Sequence, residues 1–461
     1  MSEPPFKSLT KRDLNPSTIN QHISPPSRPV PTQPRSLGLS LLIAALAALL
    51  PHTSLAAPAP KKNPAPKDQS PRPAPETPKA QLTISQTALF HAGLNGVNTY
   101  RVPGIVRTPS GTLFAYCEAR RNDPSDWGEI EIHSRRSTDG GKTWEPPRLV
   151  AHNGNRIEGN PTKRRGGETE QAAHSPTALI NPEGNIVLAY CINYSRCFIT
   201  QSPDEGLSFS IPKEITSAFD RFRPEIPWAV IATGPAHGIL TRNGRMILPV
   251  WLAYGHTGAH RPSAVATLYS DDSGATWKTG NVALTNEAKV LNPSEAAITE
   301  LPDGTVMLNA RSESRVGRRV VTTSQDGASR WSPARFDQDL AEPICQGSLL
   351  ALSDGTLLFA NPRWLRTTVA GTEIPGARAE RKNLTLHVSQ DGGSSWPIKK
   401  SIEEEESAYS DLVEIDADHL GVIYERGRQI VFARVSKEWL KNPDPQPRPP
   451  TESNASPSKS N

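Results

Sequence analysis

An eight-residue phrase occurs five times along this 461-residue chain. Its shared skeleton is Ser-x-Asp-x-Gly-x-Thr-Trp, with variation at the later positions. The copies start 65, 68, 54 and 65 residues apart. They are STDGGKTW (137–144), SPDEGLSF (202–209), SDDSGATW (270–277), SQDGASRW (324–331) and SQDGGSSW (389–396). A repeat of this period is a supersecondary unit, so the chain is predicted to fold as an array or a propeller.

Each copy carries the chemistry of a tight turn. Asp and Ser side chains bond to nearby backbone groups, and Gly supplies the positive φ that such a turn needs. The closing aromatic is expected to pack back onto its blade. A calcium loop would need acidic oxygens at alternating positions ending in Glu, and no copy has them. We therefore interpret the phrase as scaffold, with a looser hairpin in the fourth copy, where Ala328 replaces Gly.

A second repeat precedes each copy and reads as a strand, a turn that ends in Gly, and another strand. Its members are GIVRTPSGTLFAY, TALINPEGNIVLAY, HGILTRNGRMILPV, AAITELPDGTVMLNA and SLLALSDGTLLFA. A sixth relative, LVEIDADHLGVIYE, has no phrase after it. Six units with five locked hairpins predict an all-β fold, a six-bladed β-propeller of four-stranded antiparallel blades. The sixth blade would lack one strand, which residues 82–93 are expected to supply, closing the ring.

The two ends of the chain differ in composition from the repeats. Residues 37–50 form an apolar run of 14, shorter than the ~20 residues that span a bilayer. Small residues follow this run, so 1–56 is predicted to be a signal peptide or an N-terminal anchor. Residues 57–81 predict a Pro-rich disordered linker and 441–461 a disordered tail. The propeller would then occupy 82–440, in a protein that is secreted, periplasmic or at the cell surface.

Charge and cysteine content argue against several function classes. The net charge is only +4, and no basic stripe or stacking platform indicates nucleic acid as a partner. No stable membrane insertion is expected if the signal is cleaved. No CxxC pair or histidine cluster is typical of a zinc site, and no cofactor or metal is expected. Cys191 and Cys197 flank INYSR, a predicted hairpin tip, so a cross-strand disulfide and a pair of buried thiols both stay open.

Charged and polar residues interrupt the apolar inner strands of several predicted blades. Arg101, Arg311 and Arg381 lie at strand ends in three different units. Loops at one end of a propeller converge near its axis, so three arginines there indicate a clamp for an anion, which guanidinium grips in a bidentate manner. Tyr409 and Glu295 begin the sixth and fourth units. A phenol with a pKa of ~10 needs a base such as this Glu to attack at neutral pH.

In the order of these charged and polar residues along the sequence, the chain resembles the exo-sialidases, or neuraminidases. YRVPGI is similar to the family's Arg-Ile-Pro signature, with Val102 in place of Ile, and the repeated phrase is similar to its Asp boxes. The resemblance runs through nearly all of 90–430. It includes EARRNDPSDWGEIEI, GPAHGILTRNGRMILP, SEAAITELPDGTVMLNAR, CQGSLLALSDGTLLFANP, RKNLTLHVSQDGGSSWP and SAYSDLVEIDADHLGVIYE in family order. Asp boxes occur in other propellers, so the specific part is the order of the single charged residues.

The resemblance implies a binding role for five of these residues. Arg101, Arg311 and Arg381 would hold the carboxylate of sialic acid. Glu425, in VIYERG, would orient the first of these arginines. Arg120, in EAR, would line the pocket near the sugar. The implied partners are sialylated glycans, glycoproteins or gangliosides.

The resemblance also implies a retaining exo-sialidase that works through a tyrosyl intermediate. Tyr409 matches the nucleophile and Glu295 its activating base. A neutral phenol avoids the repulsion that a carboxylate would meet at the substrate's own carboxylate, and sialidases depart in this way from the two-carboxylate rule. Asp126, in SDWGEI, matches the acid/base group, with Asp123 on the same loop as the alternative.

Two other functions stay open at this stage. A trans-sialidase would use the same residues and would need an aromatic platform for its acceptor, for which Trp127, Trp251 and Trp364 are candidates. A core or rim position is the commoner reason for a tryptophan. A catalytically inactive propeller that binds glycans is disfavoured, because it would have no need for the nucleophile, base and acid together.

Overall fold

Six small, mostly antiparallel sheets follow one another along the chain, with consecutive strands hydrogen-bonded in each. The computed structural model describes residues 84–151, 171–255, 260–365 and 380–441. The first strands of neighbouring sheets contact each other, so these strands line a common axis. This arrangement confirms the predicted six-bladed β-propeller. The predicted signal and linker segments, and the tail beyond Lys441, lie outside the described residues.

The strands are numbered in chain order, and β1 (Ile84–His91) belongs to the last blade. The first blade contains β2 (Thr99–Arg107), β3 (Leu113–Arg120), β4 (Ile130–Ser137) and β5 (Arg148–Ala151). The second contains β6 (Ala173–Ile180), β7 (Ile186–Ile192), β8 (Arg196–Ser202) and β9 (Lys213–Glu214). The third contains β10 (Val230–Thr233), β12 (Ile239–Leu240), β13 (Met246–Ala253), β14 (Ser263–Ser270) and β15 (Lys278–Leu284), and β11 (Ala236–His237) joins the second blade.

The fourth blade contains β16 (Ala296–Glu300), β17 (Val306–Ala310), β18 (Arg318–Ser324) and β19 (Arg335–Ala341). The fifth contains β20 (Ser348–Ala351), β21 (Leu357–Pro362), β22 (Lys382–Ser389) and β23 (Ile398–Glu406). The sixth contains β24 (Ser410–Glu414), β25 (His419–Arg426) and β26 (Gln429–Ser436). Among the residues that the structure describes, helix is limited to a 3-10 turn at Leu94–Gly96, α1 (Ser217–Asp220) and α2 (Lys437–Lys441). None of the helices within the described ranges has the length and apolarity to cross a bilayer.

The ring is closed by a strand from the start of the described chain. β1 pairs antiparallel with β26, with Ile84 opposite Val435 and His91 opposite Gln429. The sixth blade thus takes its outermost strand from the segment that leads directly into β2 of the first blade. This confirms the prediction that residues near 82–93 close the ring.

The third blade departs from the predicted pattern. β10 and β12 both pair with β13, and the segment between them crosses to the second blade, where Ala236 lies opposite Thr177 of β6. The break falls at Gly234–Pro235, where Pro has no N–H to give to a ladder. The HGIL segment, predicted as one inner strand, is divided at Gly238, with His237 in β11 of the second blade and Ile239 in β12 of the third.

The same break brings a polar contact to the propeller axis. His237 Nδ1 lies 2.6 Å from Asp411 Oδ1, and Asp411 Oδ2 accepts the N–H of Ile105 at 2.9 Å. Burial alone would lower the pKa of His237, but the Asp411 carboxylate raises it above its ordinary value. The first, second and sixth blades are thereby joined at the centre.

Each repeated phrase forms the turn that leaves the third strand of its blade. In the first copy Ser137 Oγ accepts the N–H of Gly141 at 2.9 Å. Asp139 accepts the hydroxyl of Thr143 at 2.6 Å and its N–H at 2.9 Å. These hydrogen bonds lower the pKa of Asp139 to about 2. The phrase is thus a turn held by hydrogen bonds between its own residues, as the sequence predicted.

The fourth copy keeps this turn in a rearranged form. Asp326 accepts the N–H and the hydroxyl of Ser329, both at 2.7 Å, so the bond closes one residue earlier than in the other copies. Arg330, two residues after Ala328, takes up a positive φ of 49°. The looser hairpin expected from Ala328 is therefore not observed.

The turns also pack against the preceding blade, which the sequence did not predict. A Cβ on Gly141 would lie 2.4 Å from the ring of Phe432 in the sixth blade, and the Trp144 ring lies 5.0 Å from the same phenylalanine. In the second blade, a Cβ on Gly206 would lie 2.5 Å from Phe114 of the first blade. Glycine is required because the neighbouring blade fills the space that a side chain would use.

We predict that Gly141→Ala destabilises the protein by ~2–4 kcal/mol, because it adds an overpacked contact with Phe432 to the strain of a positive φ. Gly392 is the matched control, since it has a φ of +68° with no atom within 4 Å of an added Cβ. Gly392→Ala is expected to cost only ~1–2 kcal/mol. Urea unfolding measures both variants, and equal losses would contradict the packing role of the turn.

Candidate active site

Four of the predicted residues lie at the same end of the propeller. Tyr409 immediately precedes β24 and Glu295 immediately precedes β16, so both stand at the start of an inner strand. Arg311 immediately follows β17, the neighbour of β16, and Arg101 lies in β2. In an antiparallel pair the start of one strand lies beside the end of the next. The topology thus gathers residues that are up to 308 positions apart in the sequence.

A hydrogen-bonded group joins the fourth and sixth blades. The Tyr409 hydroxyl donates to Glu295 Oε1. Arg311 Nη1 donates to Glu295 Oε2 at 2.5 Å and to the Tyr409 oxygen at 3.0 Å. The Glu295 and Arg311 side chains are only 13% and 15% exposed. A phenol, a carboxylate and a guanidinium are therefore held together in a mostly desolvated place.

This environment moves the two titratable groups in opposite directions. Burial would raise the pKa of Glu295, but Arg311 and the hydrogen bond from Tyr409 outweigh it, and the pKa lies below its usual value. Burial and the Glu295 charge raise the pKa of Tyr409 despite three nearby arginines. At neutral pH the proton therefore resides on the phenol, and Glu295 is ionised and accepts its hydrogen bond.

The other two predicted arginines lie against the Tyr409 ring. The Arg101 and Arg381 Cζ atoms are 5.2 and 5.4 Å from its centroid. Arg381 Nη2 also donates to the carbonyl of Ile344 at 2.7 Å. The structure thus brings the three arginines together around one tyrosine, as the sequence predicted.

Glu425 holds Arg101 in this position. Its Oε1 lies 3.2 Å from Arg101 Nε and accepts the N–H of Val102 at 2.8 Å. Val102 has a φ of 55°, a conformation that β-branched residues rarely adopt. Such strain persists only where surrounding contacts enforce it. The carboxylate therefore positions both the arginine and the backbone that carries it.

Asp126 lies on the loop between β3 and β4 and faces this group. Its Oδ1 is 2.8 Å from Arg120 Nη1 and 3.8 Å from Arg101 Nη1, and its side chain is 43% exposed. Burial would raise the pKa of Asp126, but Arg120 and Arg101 lower it overall. Asp123 instead accepts the N–H of Ser125 at 2.6 Å. The two loop aspartates thus differ, since one meets arginines and the other stabilises a turn.

Arg120 forms a buried ion pair with Glu118, a residue that was not predicted from the sequence. It is 2% exposed and donates to Glu118 Oε2 from Nε at 3.0 Å and from Nη2 at 2.6 Å. Glu118 Oε1 accepts the N–H of Ser175 in the second blade at 2.8 Å. The available signal was a glutamate inside LFAYCEAR, a strand that is otherwise nearly all apolar before its final arginine.

A second missed residue supports the segment that carries Tyr409. Gln346 is 1% exposed, and its side chain lies beside the backbone of Ser410. Its Nε2 donates to the Ser410 carbonyl at 3.0 Å, and its Oε1 accepts the Ser410 N–H at 3.0 Å. A single polar residue in a turn-rich segment gives no pattern from which this pairing could have been predicted.

An aromatic cluster borders the site beside Asp126. The Trp127 ring lies 4.6 Å from Tyr194 and 5.4 Å from His260, and Trp251 lies 5.3 Å from His260. Tyr194 stacks on His174 at 3.5 Å. These rings come from strands and loops of the first three blades, so no local pattern predicted their meeting.

The three tryptophans suggested for an acceptor platform differ in exposure. Trp127 and Trp251 are 7% and 5% exposed and belong to the aromatic cluster. Trp364 is 39% exposed, with the Lys382 ammonium 3.9 Å from the centre of its ring. Only Trp364 among the three therefore presents an exposed ring.

Two cavities open beside the Tyr409 group. One, of about 210 Å³, is bordered by Arg101, Arg381 and Glu425. The other, of about 50 Å³, is bordered by Glu295, Arg311 and Trp251. Five of the residues predicted from the sequence thus line these two concave surfaces.

The comparison with protein families agrees with this geometry. The model of the BNR repeat-like domain matches residues 111–422, more than half of the chain. The chain belongs to the sialidase family with BNR repeats. The matched region includes β3 to β24 and the start of β25, so it reaches into all six blades.

The curated relatives are sialidases that are longer than this chain. The sialidase of Micromonospora viridifaciens is 27% identical over 390 residues, which are 80% of this chain and 56% of that protein. The sialidase of Bacteroides fragilis is 28% identical over 368 residues, or 73% and 61% of the two chains. This family member therefore spans little more than half of these two relatives.

Among solved structures, the Hadza microbial sialidase Hz136 is similar with a TM-score of 0.63 and 27% identity. The match covers 77% of this chain and 68% of that one. The fold is thus similar to that of a structure named as a sialidase.

We predict that Glu295→Gln lowers the free energy of unfolding by ~2–4 kcal/mol at pH 7, because it leaves Arg311 without its charged partner. The Glu295 pKa is lowered in the folded protein, so the stabilisation is present above the ordinary value near 4.5 and is lost as pH falls through the folded pKa. Urea unfolding should therefore give a smaller difference at about pH 3.5 than at pH 7. Exposed Glu404→Gln is the control, and a difference that is independent of pH would contradict the ionised pair.

Proposed function

We propose that this family member is a retaining exo-α-sialidase that releases terminal α-linked sialic acids from glycans, glycoproteins or gangliosides. The observation that carries the proposal is the contact of Tyr409 with Glu295 and Arg311, with two further arginines against the phenol ring. Family membership supports the choice of substrate class. The chain covers only part of the named relatives, so the activity rests on the geometry of this site.

Substrate binding would depend on the surplus of positive charge. Three guanidinium groups surround Tyr409, and Glu425 and Glu295 each pair with only one of them. A sialic acid carboxylate placed among them would be held by charge-assisted, bidentate hydrogen bonds. These contacts would tighten as the sugar ring flattens in the transition state. They would therefore lower the activation free energy of the reaction and not only the KM.

In the first step the Tyr409 oxygen would attack the anomeric carbon while its proton passes to Glu295. The raised pKa of Tyr409 and the lowered pKa of Glu295 oppose a free phenolate before substrate binds. Transfer of the proton would therefore accompany formation of the C–O bond. A substrate carboxylate beside the arginines would also offset their charge and make Glu295 a stronger base.

Asp126 would protonate the leaving oxygen as the glycosidic C–O bond breaks. Its pKa is lowered in the free site by Arg120 and Arg101. Pairing of Arg101 with the substrate carboxylate would weaken that effect and raise the pKa towards the range of a useful acid. In the second step the Asp126 carboxylate would take a proton from water, and the Tyr409 oxygen would leave with the proton from Glu295. Two inversions give net retention.

We predict that the wild-type protein releases the fluorophore from a 4-methylumbelliferyl sialoside and that Tyr409→Phe lowers kcat at least ~10³-fold, because the nucleophile is lost. Tyr269→Phe, in β14 of the third blade, is the matched control and should keep its activity. Full activity of Tyr409→Phe would exclude this nucleophile.

The same assay separates the two alternative functions. An inert wild type between about pH 4 and 8 that still binds free sialic acid would indicate a glycan-binding propeller. Sialylated lactose formed in the presence of lactose, at the expense of free sialic acid, would indicate a trans-sialidase. Trp364 is the exposed tryptophan for an acceptor contact among the described residues, so Trp364→Ala should then lower the transfer fraction.

We predict that Asp126→Asn depends strongly on the leaving group. Sialyllactose, whose sugar alkoxide leaves poorly, should be cleaved ~10²–10⁴-fold more slowly, and the 4-methylumbelliferyl sialoside should lose much less, because its phenol needs little protonation. Asp123→Asn is the matched control on the same loop and should behave as the wild type. The opposite pattern in the two variants would move the acid to Asp123.

A further inference from the structure

Two buried cysteines face each other across the hairpin of β7 and β8 in the second blade. Cys191 lies directly opposite Cys197 in the register of these strands. Ile192 and Arg196 form the next pair, and three residues make the tip. The hairpin predicted around INYSR is thus confirmed, and the two sulfur-bearing side chains project from the same face of the sheet.

The backbone identifies the kind of pair that these cysteines form. The Cys197 N–H donates to Thr216 Oγ1 at 3.0 Å, and the Cys197 carbonyl accepts the N–H of Ile215 at 2.8 Å. Both groups therefore point towards β9 and away from β7. Cys191 and Cys197 are a non-hydrogen-bonded pair, in which the Cα atoms are ~4.5 Å apart and the side chains are closest. This separation lies inside the ~4.4–6.8 Å range of disulfides.

The side chains complete the arrangement. Both cysteines are 0% exposed and belong to one apolar cluster, where the Cys191 side chain is the hydrogen-bond partner of the Cys197 thiol. Cys117 lies in the first blade and Cys345 lies between the fourth and fifth blades. Of the four cysteines, these two alone share a hairpin.

We propose that Cys191 and Cys197 form a cross-strand disulfide when the protein folds in an oxidising compartment. One thiolate would attack a small disulfide such as oxidised glutathione and release one thiol, and the second cysteine would displace the other thiol from the mixed disulfide. The protein loses two electrons and two protons, and the oxidant becomes two thiols. Burial raises the pKa of Cys197 in the folded state, which favours bond formation before the blade closes.

The bond would tie down the hairpin tip that reaches the candidate site. Asn193 and Tyr194 of the tip have positive φ values of 50° and 53°. The Tyr194 ring stacks on His174 and packs 4.6 Å from Trp127, the residue after Asp126. A cross-link three residues from Tyr194 would therefore restrain the support of the catalytic loop.

Peptide mapping tests the bond directly, since Arg196 lies between the two cysteines. The full chain is produced in an oxidising compartment, alkylated with N-ethylmaleimide in denaturant and digested with trypsin without reduction. We expect peptides 166–196 and 197–213 to run as one species with the mass of both less two hydrogens, and dithiothreitol should separate them. Cys117 and Cys345 should be alkylated throughout, as internal controls.

Alkylation of all four cysteines, or a linkage of Cys191 to Cys117 or Cys345, would overturn the proposal. Cys197→Ala should abolish the linked species and leave Cys191 alkylated. These readouts need no enzymatic activity, so they are independent of the proposed function.

Hydrogen exchange tests the restraint of the tip. Amides of residues 192–196 should exchange at least ~10-fold more slowly in the oxidised protein than in protein made under reducing conditions, because local opening is suppressed. Cys197→Ala should exchange alike from both preparations. Equal exchange of oxidised and reduced wild type would show that the bond does not hold the tip.

Discussion

The pairing of β1 with β26 is the constraint on which this molecule depends. A ring of blades has no core shared by all of them, and each blade is stable only where its neighbours cover it. The strand Ile84–His91 completes the sixth blade and continues directly into the first. Arg101 meets Glu425 across that seam, although the two residues are 324 positions apart in the sequence. The closure that makes the fold therefore also makes part of the site.

Charge organises the site once the ring has closed. Three arginines need anionic partners. Among the described residues, Glu425 and Glu295 each pair with one of them, and Asp126, which is closer to Arg120, makes a longer contact with Arg101. The group around Tyr409 thus stays electropositive although it is mostly buried. An anion of the right shape would complete it, and its arrival would shift the pKa values of the base and the acid in the directions that the proposed chemistry needs. The strained backbone at Val102 fits this view, since strain of this kind collects at functional sites.

The sequence predicted the features that repeat, and it predicted the site through features that do not. Turn chemistry in the five phrases, together with the six strand–turn–strand units, led to the blade number, the hairpins and the strand that closes the ring. Isolated charges such as Arg311, in otherwise apolar strands, led to the residues that the structure brings together. Other contacts between blades were not predictable, because they join segments without local patterns. The packing of Gly141 on Phe432, the pairing of Gln346 with Ser410 and the division of the HGIL strand at Gly238 all belong to this class.

In the proposed mechanism, Tyr409 becomes covalently bound to the sugar. A sialosyl fluoride with a second fluorine at C3 should accumulate the intermediate, because that fluorine slows both steps through an oxocarbenium-like transition state. Trypsin releases Tyr409 in the peptide 401–426, which also contains Tyr424 as an internal control. We expect tandem mass spectrometry to place one fluorosialyl group on Tyr409. An adduct on Glu295 or on another carboxylate, or turnover with no adduct on the protein, would contradict the account.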